Sequence, residues 1–565
     1  MKKASLLSVL MAVCLLADVC PTDACTNIIV TRGASADGST MVTYAADSHQ
    51  LYGVLYYHPA ADWPAGAKLP VHSWDEGTFL GYIDQIPHTY QTVGNMNQYQ
   101  LTITETTFGG RSGLENEGGI DYGSLIYITL QRARTAREAI AIMDALTQQW
   151  GYVSEGESFS IADGKEAWIM EMVGKGSEKG TVWVARRIPD GYISAHANQA
   201  RIHTFPQNDP ENCLYAKDVI SFARSKGFFS GKDADFSFCD TYCPIDFGGA
   251  RACEARVWSA FNILTGGSFS WIDDKGKTHV AAADDYLDFA MGHNLGHKMP
   301  LFVKPAQKVS VRALSDVMRD HYEGTPMDMT QDVGAGPNHV PYRWRPMSFT
   351  VDGASYVHER AIATQQTGFW ILSQSRSWLP DEIGGIQWFG VDDAGTSALT
   401  PMYTNITAVP ECFREGNGSM IEYSPTSAFW QVNKVTHFAY LMYDRVAPVI
   451  LKEVVRHENL GLDAVAFADE RAGKLLAEGR RAEALQVLTD VSCGLAERMM
   501  TRWQQLENEL LVKFMDGNIK VQNPDGSFKL ETEGSDIPAG PEHPAFPERW
   551  LRGIVNDHGD ILRAN

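Results

Sequence analysis

The 565-residue sequence predicts an α+β fold: stacked antiparallel sheets covered by helices, with a helical C-terminal region. Three observations predict it. The first 200 residues carry β-prone runs joined by short turn signals. A capped amphipathic helix interrupts them. From about 441 to 515 the pattern becomes helical and charged, as in "ADERAGKLLAEGRRAEALQVL".

Taken in chain order, residues 1–24 come first. Lys2 and Lys3 precede an apolar run from Leu6 to Ala17, and Thr22 and Ala24 are small residues at positions −3 and −1 of a cleavage site. The run is shorter than the roughly 20 residues a spanning helix needs, and no later stretch is apolar for as long. The expectation is a signal peptide at 1–24 and an exported protein, periplasmic or extracellular, with no spanning membrane segment. Its mature chain would begin at Cys25.

"CTNIIVTRG" and "STMVTYAAD" then form a hairpin, with Asp37-Gly38 in the connection. "QLTITETT" (100–107) alternates and is expected as a strand. Thr135 and Glu138 make a capping box; Ala139, Ile142, Leu146 and Trp150 follow at helical spacing, and Gly151 closes the helix. "SFSIADGKEAWIMEM" is a second hairpin turning at Asp163-Gly164. "TVWVARRIPDGYISAHAN" is a third, turning at Pro189-Asp190-Gly191. These elements assign about 25–440 to a core, 441–515 to a helical region packed on it, and 516–565 to an extended Pro/Gly/acidic tail.

Composition narrows the function. The formal net charge is −21, and the leader's two lysines are balanced by Asp18 and Asp23, so the mature chain keeps that charge. This disfavours nucleic acid and anionic membranes as partners. Nine cysteines less Cys14 and Cys20 leave seven, so at least one thiol stays unpaired in an exported chain. Cys239 and Cys243 could pair, but read better as buried thiols. No HExxH and no paired CxxC motif is present, and His293 and His297 in "GHNLGH" read as loop residues, so no metal is expected.

The cysteine of "TDACTNIIV" has three readings: an ordinary small residue, a lipid attachment point, or a catalytic group that works as the first residue. Thr22 and Asp23 fit poorly at −3 and −2 of a lipid site. The stretches "ACTNIIVTRGASADGSTMVTYAADSH", "QRARTAREAI", "IADGKEAWIMEM", "ISAHANQARI", "MRDHYEGTPMDMT" and "SRSWLPDEIGGIQWFGVDD" resemble, in order, the cysteine dipeptidase (dipeptidase A) family of N-terminal-nucleophile hydrolases. More distantly they are similar to the bile salt hydrolases and penicillin V acylases. The resemblance implies an αββα sandwich of two antiparallel sheets, small peptide substrates, and amide hydrolysis without metal or organic cofactor.

The chemistry agrees. A thiol near pKa ~8.5 and an α-amine near ~7.7–8 are both poised close to neutral pH. In one residue the amine can take the thiol proton, and the thiolate then attacks a carbonyl. By the resemblance, Asp47 in "YAADSH" orients the Cys25 ammonium, and Asn198 in "AHANQARI" serves the oxyanion hole. Asn97, Thr106, Thr107, Arg251 and Arg256 are substrate-binding candidates; exposed strand threonines and structural salt bridges are their ordinary alternatives. Two departures separate this chain from the acylases. Tyr44 stands where they carry an arginine three residues before the aspartate, and Thr106-Thr107 replaces their asparagine.

The first functional expectation is therefore a secreted cysteine dipeptidase. An N-terminal-nucleophile amidohydrolase acting on N-acyl amino acids or bile salts comes second, and a surface lipoprotein binding module lipidated at Cys25 third. The sequence leaves a homo-oligomer open.

Overall fold

A computed structural model describes residues 25–564. The expected signal peptide, 1–24, lies outside the described residues.

Ten longer strands build the core: β1 (Thr26–Val30), β2 (Thr40–Asp47), β3 (Thr102–Gly109), β4 (Gly156–Ala162), β5 (Ala167–Lys175), β6 (Glu178–Arg187), β7 (Ile193–His196), β8 (Thr367–Ser375), β9 (Gly385–Val391) and β10 (Thr400–Tyr403). The first sheet has seven antiparallel strands in the order Phe302–Val303, β7, β1, β2, β8, β9, β10. The second has eight, with β6, β5, β4 and β3 in sequence. Cys213–Tyr215 lies outside β6, and Met96–Asn97, Thr92–Val93 and Tyr57–His58 continue beyond β3.

The first hairpin forms as expected, with Asn27 opposite Tyr44. Gly38 takes φ +83° in its connection, a conformation that suits glycine. The second expected hairpin is β4–β5, with Ala162 opposite Ala167.

The third expected hairpin is a correction. β6 and β7 flank the Pro189–Gly191 turn but lie in different sheets. β6 is already paired with β5 through a turn at Gly176, where Lys175 faces Glu178. The 189–191 turn is tied to the start of the first sheet instead. Asp190 Oδ1 accepts the Gly33 N–H (2.5 Å), and Thr31 Oγ1 accepts the Gly191 N–H (3.0 Å). The chain therefore crosses between sheets, and β7 pairs with β1, His196 opposite Asn27. A Pro-Asp-Gly signal marks a reversal and not its destination.

The sheets meet through buried polar groups as well as apolar ones. The Asn27 amide bonds Thr104 Oγ1 (2.7 Å) and Ser160 Oγ (3.3 Å). His196 bonds Thr106 Oγ1 and Ser160 Oγ, both at 2.7 Å. Ile29 and Val42 of the first sheet share a core with Ile103, Phe159 and Ile161 of the second. Ile28 and Val30 join Trp258, Phe261 and Trp370 in the other core.

Helix α1 (Tyr122–Leu130) precedes α2 (Ala136–Trp150), which packs on β6. Thr135 Oγ1 accepts the Glu138 N–H (3.2 Å), while Glu138 reaches back to the Arg134 N–H (2.8 Å). The buried stripe is Ala136, Ala139, Ile140, Met143, Leu146 and Thr147. Ile142 and Trp150 of the expected face are only half-buried, because the stripe drifts around the helix. A wider π-helical segment, Gly249–Glu254, leads into α3 (Ala255–Thr265), which packs against β7.

Helix α4 (Ala428–Leu441) precedes the expected 441–515 region, which holds α5 (Tyr443–Ala477) and α6 (Arg481–Phe514), both packed on β10. The tail is extended through 518–546, but near its end, where the sequence predicts an extended arm, it forms a helix, α7 (Glu548–His558). Pro547 before it and Glu548 in its first turn are helix-start signals that the surrounding Pro and Gly obscure. No described helix is long and apolar enough to cross a membrane.

Candidate active site

Cys25 immediately precedes β1, an interior strand of the first sheet, and is half-buried. Its thiol donates to Glu105 Oε1 (3.7 Å) and Tyr44 Oη (3.9 Å). Tyr44 comes from the adjacent strand β2; its hydroxyl donates to the same Glu105 oxygen (2.7 Å). Glu105 comes from β3 of the facing sheet. Three strands thus converge on one sulfur.

Burial pushes the Cys25 thiol well above its ordinary pKa, and the charges of Glu105 and Asp47 add to the effect. The Asp47 N–H and the Tyr44 hydroxyl oppose it. With residues 1–24 attached, the nitrogen of Cys25 is a peptide amide and supplies no base. The thiol of that chain stays protonated.

Arg256, on α3, is fully buried and organises this corner. Nη1 donates to the Cys25 carbonyl (2.5 Å) and Thr26 Oγ1 (2.8 Å). Nη2 donates to the Ala197 carbonyl (3.2 Å) and Asn198 Oδ1 (2.9 Å). Nε donates to the Ala252 carbonyl (2.8 Å), one turn back at the π-helical segment. The fixed fork of five guanidinium donors suits this task.

Asn198 follows the end of β7 at φ +62°, a left-handed position that asparagine tolerates. Arg256 orients its amide, whose Nδ2 donates to the Thr107 carbonyl (2.7 Å). Asp47 approaches Cys25 through its backbone N–H. Its carboxylate is committed elsewhere: it accepts from Arg360 Nη2 (2.5 Å) and Thr367 Oγ1 (2.6 Å). Burial still holds the Asp47 pKa above its ordinary value, with Arg360 opposing. The expected carboxylate that orients an ammonium is therefore partly neutralised by Arg360.

The other candidates divide. The Thr107 hydroxyl donates to Glu157 Oε1 (2.7 Å), so Thr107 belongs to the same cluster. The Thr106 hydroxyl is spent on His196. Asn97 is a correction. Its amide donates to the Leu130 and Ala133 carbonyls (both 2.7 Å) and accepts from the Tyr99 and Leu101 N–H groups, which satisfies it without a substrate. It secures the α1–α2 connection to the second sheet. Arg251 ion-pairs with Glu359 (2.8 Å), the structural alternative considered for it.

Sequence reasoning missed Glu105, Glu157 and Arg360. Glu105 and Glu157 lie diagonally across the β3–β4 pairing, since Thr107 faces Glu157 and Glu105 faces Phe159. Both are essentially inaccessible. Their signal was a charged residue inside each of two otherwise uncharged strands. Burial and the neighbouring acid push Glu157 far up, so it keeps its proton and shares it with Glu105. Burial raises Glu105 to about 7, opposed by hydrogen bonds from Tyr44 and Glu157.

A stability prediction follows from Glu105. An unfolded glutamate loses its proton near ~4.3; the folded one holds it to about 7. Between those values the folded state binds more protons, so stability falls as pH rises and levels off above about 7. Urea midpoints at pH 5 and pH 7.5 should therefore fall more for the native chain than for Glu105→Gln. Equal falls would show that Glu105 titrates normally.

One other cluster has ligand-like chemistry. The donor atoms of His203, Cys239 and Asp240 lie within 4.8 Å of one another. Asp240 is already paired with Lys298, whose ammonium supplies the positive charge there. The seven described cysteines, Cys239 and Cys243 among them, are free thiols.

Comparison with known proteins gives the family. The model of peptidase family C69 matches residues 65–454. A probable dipeptidase of Salmonella dublin is 25% identical over 401 residues, covering 67% of this chain and 81% of that protein. A probable dipeptidase of Latilactobacillus sakei is 23% identical over 413 residues, covering 69% and 76%. Dipeptidase A of Lactobacillus helveticus is 23% identical over 435 residues, covering 73% and 81%. With the family match spanning well over half its length, the chain belongs to peptidase family C69 and is a peptidase.

Proposed function

We propose that this protein is an exported cysteine dipeptidase whose nucleophile is Cys25, acting once residues 1–24 have been removed. The observation that carries the reading is the placement of the Cys25 thiol against Tyr44 and Glu105, with its own carbonyl anchored by Arg256. The relatives' names support the substrate class. The facing antiparallel sheets, with helices against each, support reading the core as an αββα sandwich.

In the proposed mechanism, removal of residues 1–24 turns the Cys25 amide into an amine. That amine takes the thiol proton, and the thiolate attacks the peptide carbonyl. Asn198 has a second amide hydrogen beyond the one donated to Thr107, and this would meet the oxyanion; such a donor is worth roughly 3 kcal/mol. The amine then protonates the departing amine, and water hydrolyses the thioester. The protein would act in the periplasm or outside the cell.

N-terminal sequencing of the exported protein should give Cys25 as the first residue, and a start at Thr26 or beyond would rule out the mechanism. The substrate class is tested with a dipeptide, its N-acetyl form and its C-terminal amide. Blocking either end should lower kcat/KM by at least about 100-fold, because a charge-recognition group left unpaired costs several kcal/mol. Equal turnover of the free and N-acetylated forms would place the enzyme with the amidohydrolases of N-acyl amino acids or bile salts.

A further inference from the structure

We propose that the Glu105–Glu157 pair is the subsite for the substrate's α-ammonium group, and that it makes this enzyme selective for a free amino terminus. The inference rests on the dipeptidase reading and deepens it.

Distance comes first. In an amino-terminal residue the nitrogen lies two bonds, about 2.5 Å, from the carbonyl carbon. A thiolate poised for attack sits about 3–3.5 Å from that carbon. The ammonium must therefore fall within a few ångströms of Sγ. Glu105 Oε1 is 3.7 Å from Sγ, on the facing sheet, and so within that reach.

The charge fits as well. Two carboxyls that share one proton carry a single negative charge, which matches one ammonium. Among the described residues no lysine or arginine forms an ion pair with either glutamate. The charges acting on them are acidic: Asp75 on both, and Glu105 on Glu157. Oε2 of each is sealed from solvent and receives no N–H or O–H from the fold outside the pair. A buried charge without a counter-ion is costly, and an arriving ammonium would recover part of that cost.

Two neighbours complete the cradle. Tyr44 and Thr107 donate to the Oε1 atoms of Glu105 and Glu157 and fix both carboxyls. A cation in the place of Tyr44 would neutralise Glu105 and repel an ammonium. The neutral phenol leaves the negative charge in place.

The test uses the processed enzyme, its Glu157→Gln and Glu105→Gln variants, and two substrates: an alanyl dipeptide and the matching propionyl-amino acid, which lacks only the amine. Folding of each variant is checked by thermal melting. The wild-type ratio of kcat/KM, alanyl over propionyl, should be about 100 or more. In both variants that ratio should drop by about tenfold or more, chiefly through a higher KM for the alanyl substrate. The Cys25 thiol bonds Glu105 and Tyr44, whereas Glu157 bonds Thr107, so the Glu157 variant separates substrate recognition from support of the thiol. A ratio that stays at the wild-type value overturns the proposal. So does an equal loss on both substrates, which would assign the pair to Cys25 itself. A wild-type enzyme that turns over both substrates equally would instead overturn the dipeptidase reading beneath it.

Discussion

One extra, non-removable residue placed before Cys25 should lower turnover about as far as Cys25→Ala does, by roughly 10⁴–10⁶-fold. On the proposed mechanism the base is the α-amine of the nucleophile itself. Extension turns that amine into an amide with no useful basicity while leaving the thiol untouched. In the described chain burial and acidic neighbours hold the Cys25 thiol well above its ordinary pKa, so it needs a base. Among the described residues, the hydrogen-bond partner of that thiol that can act as a base near neutral pH is Glu105, raised to about 7. Glu105 thus makes the experiment decisive. If the extended protein, shown by mass to be uncleaved, keeps near-normal turnover, Glu105 is the base and the amine is dispensable. Cys25→Ser should keep the fold but lose most of the rate, because a hydroxyl is far harder to deprotonate than a thiol. A chain starting Met-Cys25 is no test, since cells commonly trim Met before a small residue.

The parts of the fold that were legible in the sequence are those set by local chemistry. Alternation and Asp-Gly turns located β1, β2, β4 and β5. Thr135, Glu138 and Gly151 bounded α2 to the residue. Destinations were not legible. The β6–β7 turn crosses between sheets because Asp190 and Thr31 tie it to the first sheet's opening, a long-range contact without local trace. The site shows the same division. Cys25 announced itself by its place after a leader-like segment. Glu105, 80 positions later, is brought to it only by the stacking of two sheets. Asn97 misled because a buried asparagine that satisfies four backbone groups looks, in sequence, like one waiting for a substrate. In the sequence Arg256 reads as a substrate-binding candidate, with a structural salt bridge as its alternative. Its partners are carbonyls and side-chain oxygens around Cys25, which no spacing rule reveals.

Those partners make Arg256→Met the substitution with the largest combined effect outside Cys25. The guanidinium is wholly buried and donates to the Cys25, Ala197 and Ala252 carbonyls, Thr26 Oγ1 and Asn198 Oδ1. Methionine fills much of the volume but donates nothing, and each buried acceptor left without a partner costs about 1–3 kcal/mol. Asp47 also loses a cation that favours its ionised form. Relaxation absorbs part of this, and a net stability loss of about 3–5 kcal/mol is expected, read as a lower urea midpoint. Catalysis should suffer separately. Without Arg256 the Cys25 carbonyl and the Asn198 amide are no longer held together, and a displacement of about 1 Å at a reacting group costs about 100-fold. Because that loss concerns geometry after binding, it should appear in kcat with little change in KM. Arg256→Lys should recover stability better than rate, since an ammonium restores the charge but not a planar fork spanning both Cys25 and Asn198. Leu506→Ala, a buried truncation on α6, provides the control. It should cost a similar 2–5 kcal/mol while leaving kcat near its native value at a temperature where both variants are folded. If Arg256→Met loses no more kcat than Leu506→Ala, Arg256 supports only the fold, and the position of Cys25 is set by β1 and its neighbouring strands alone.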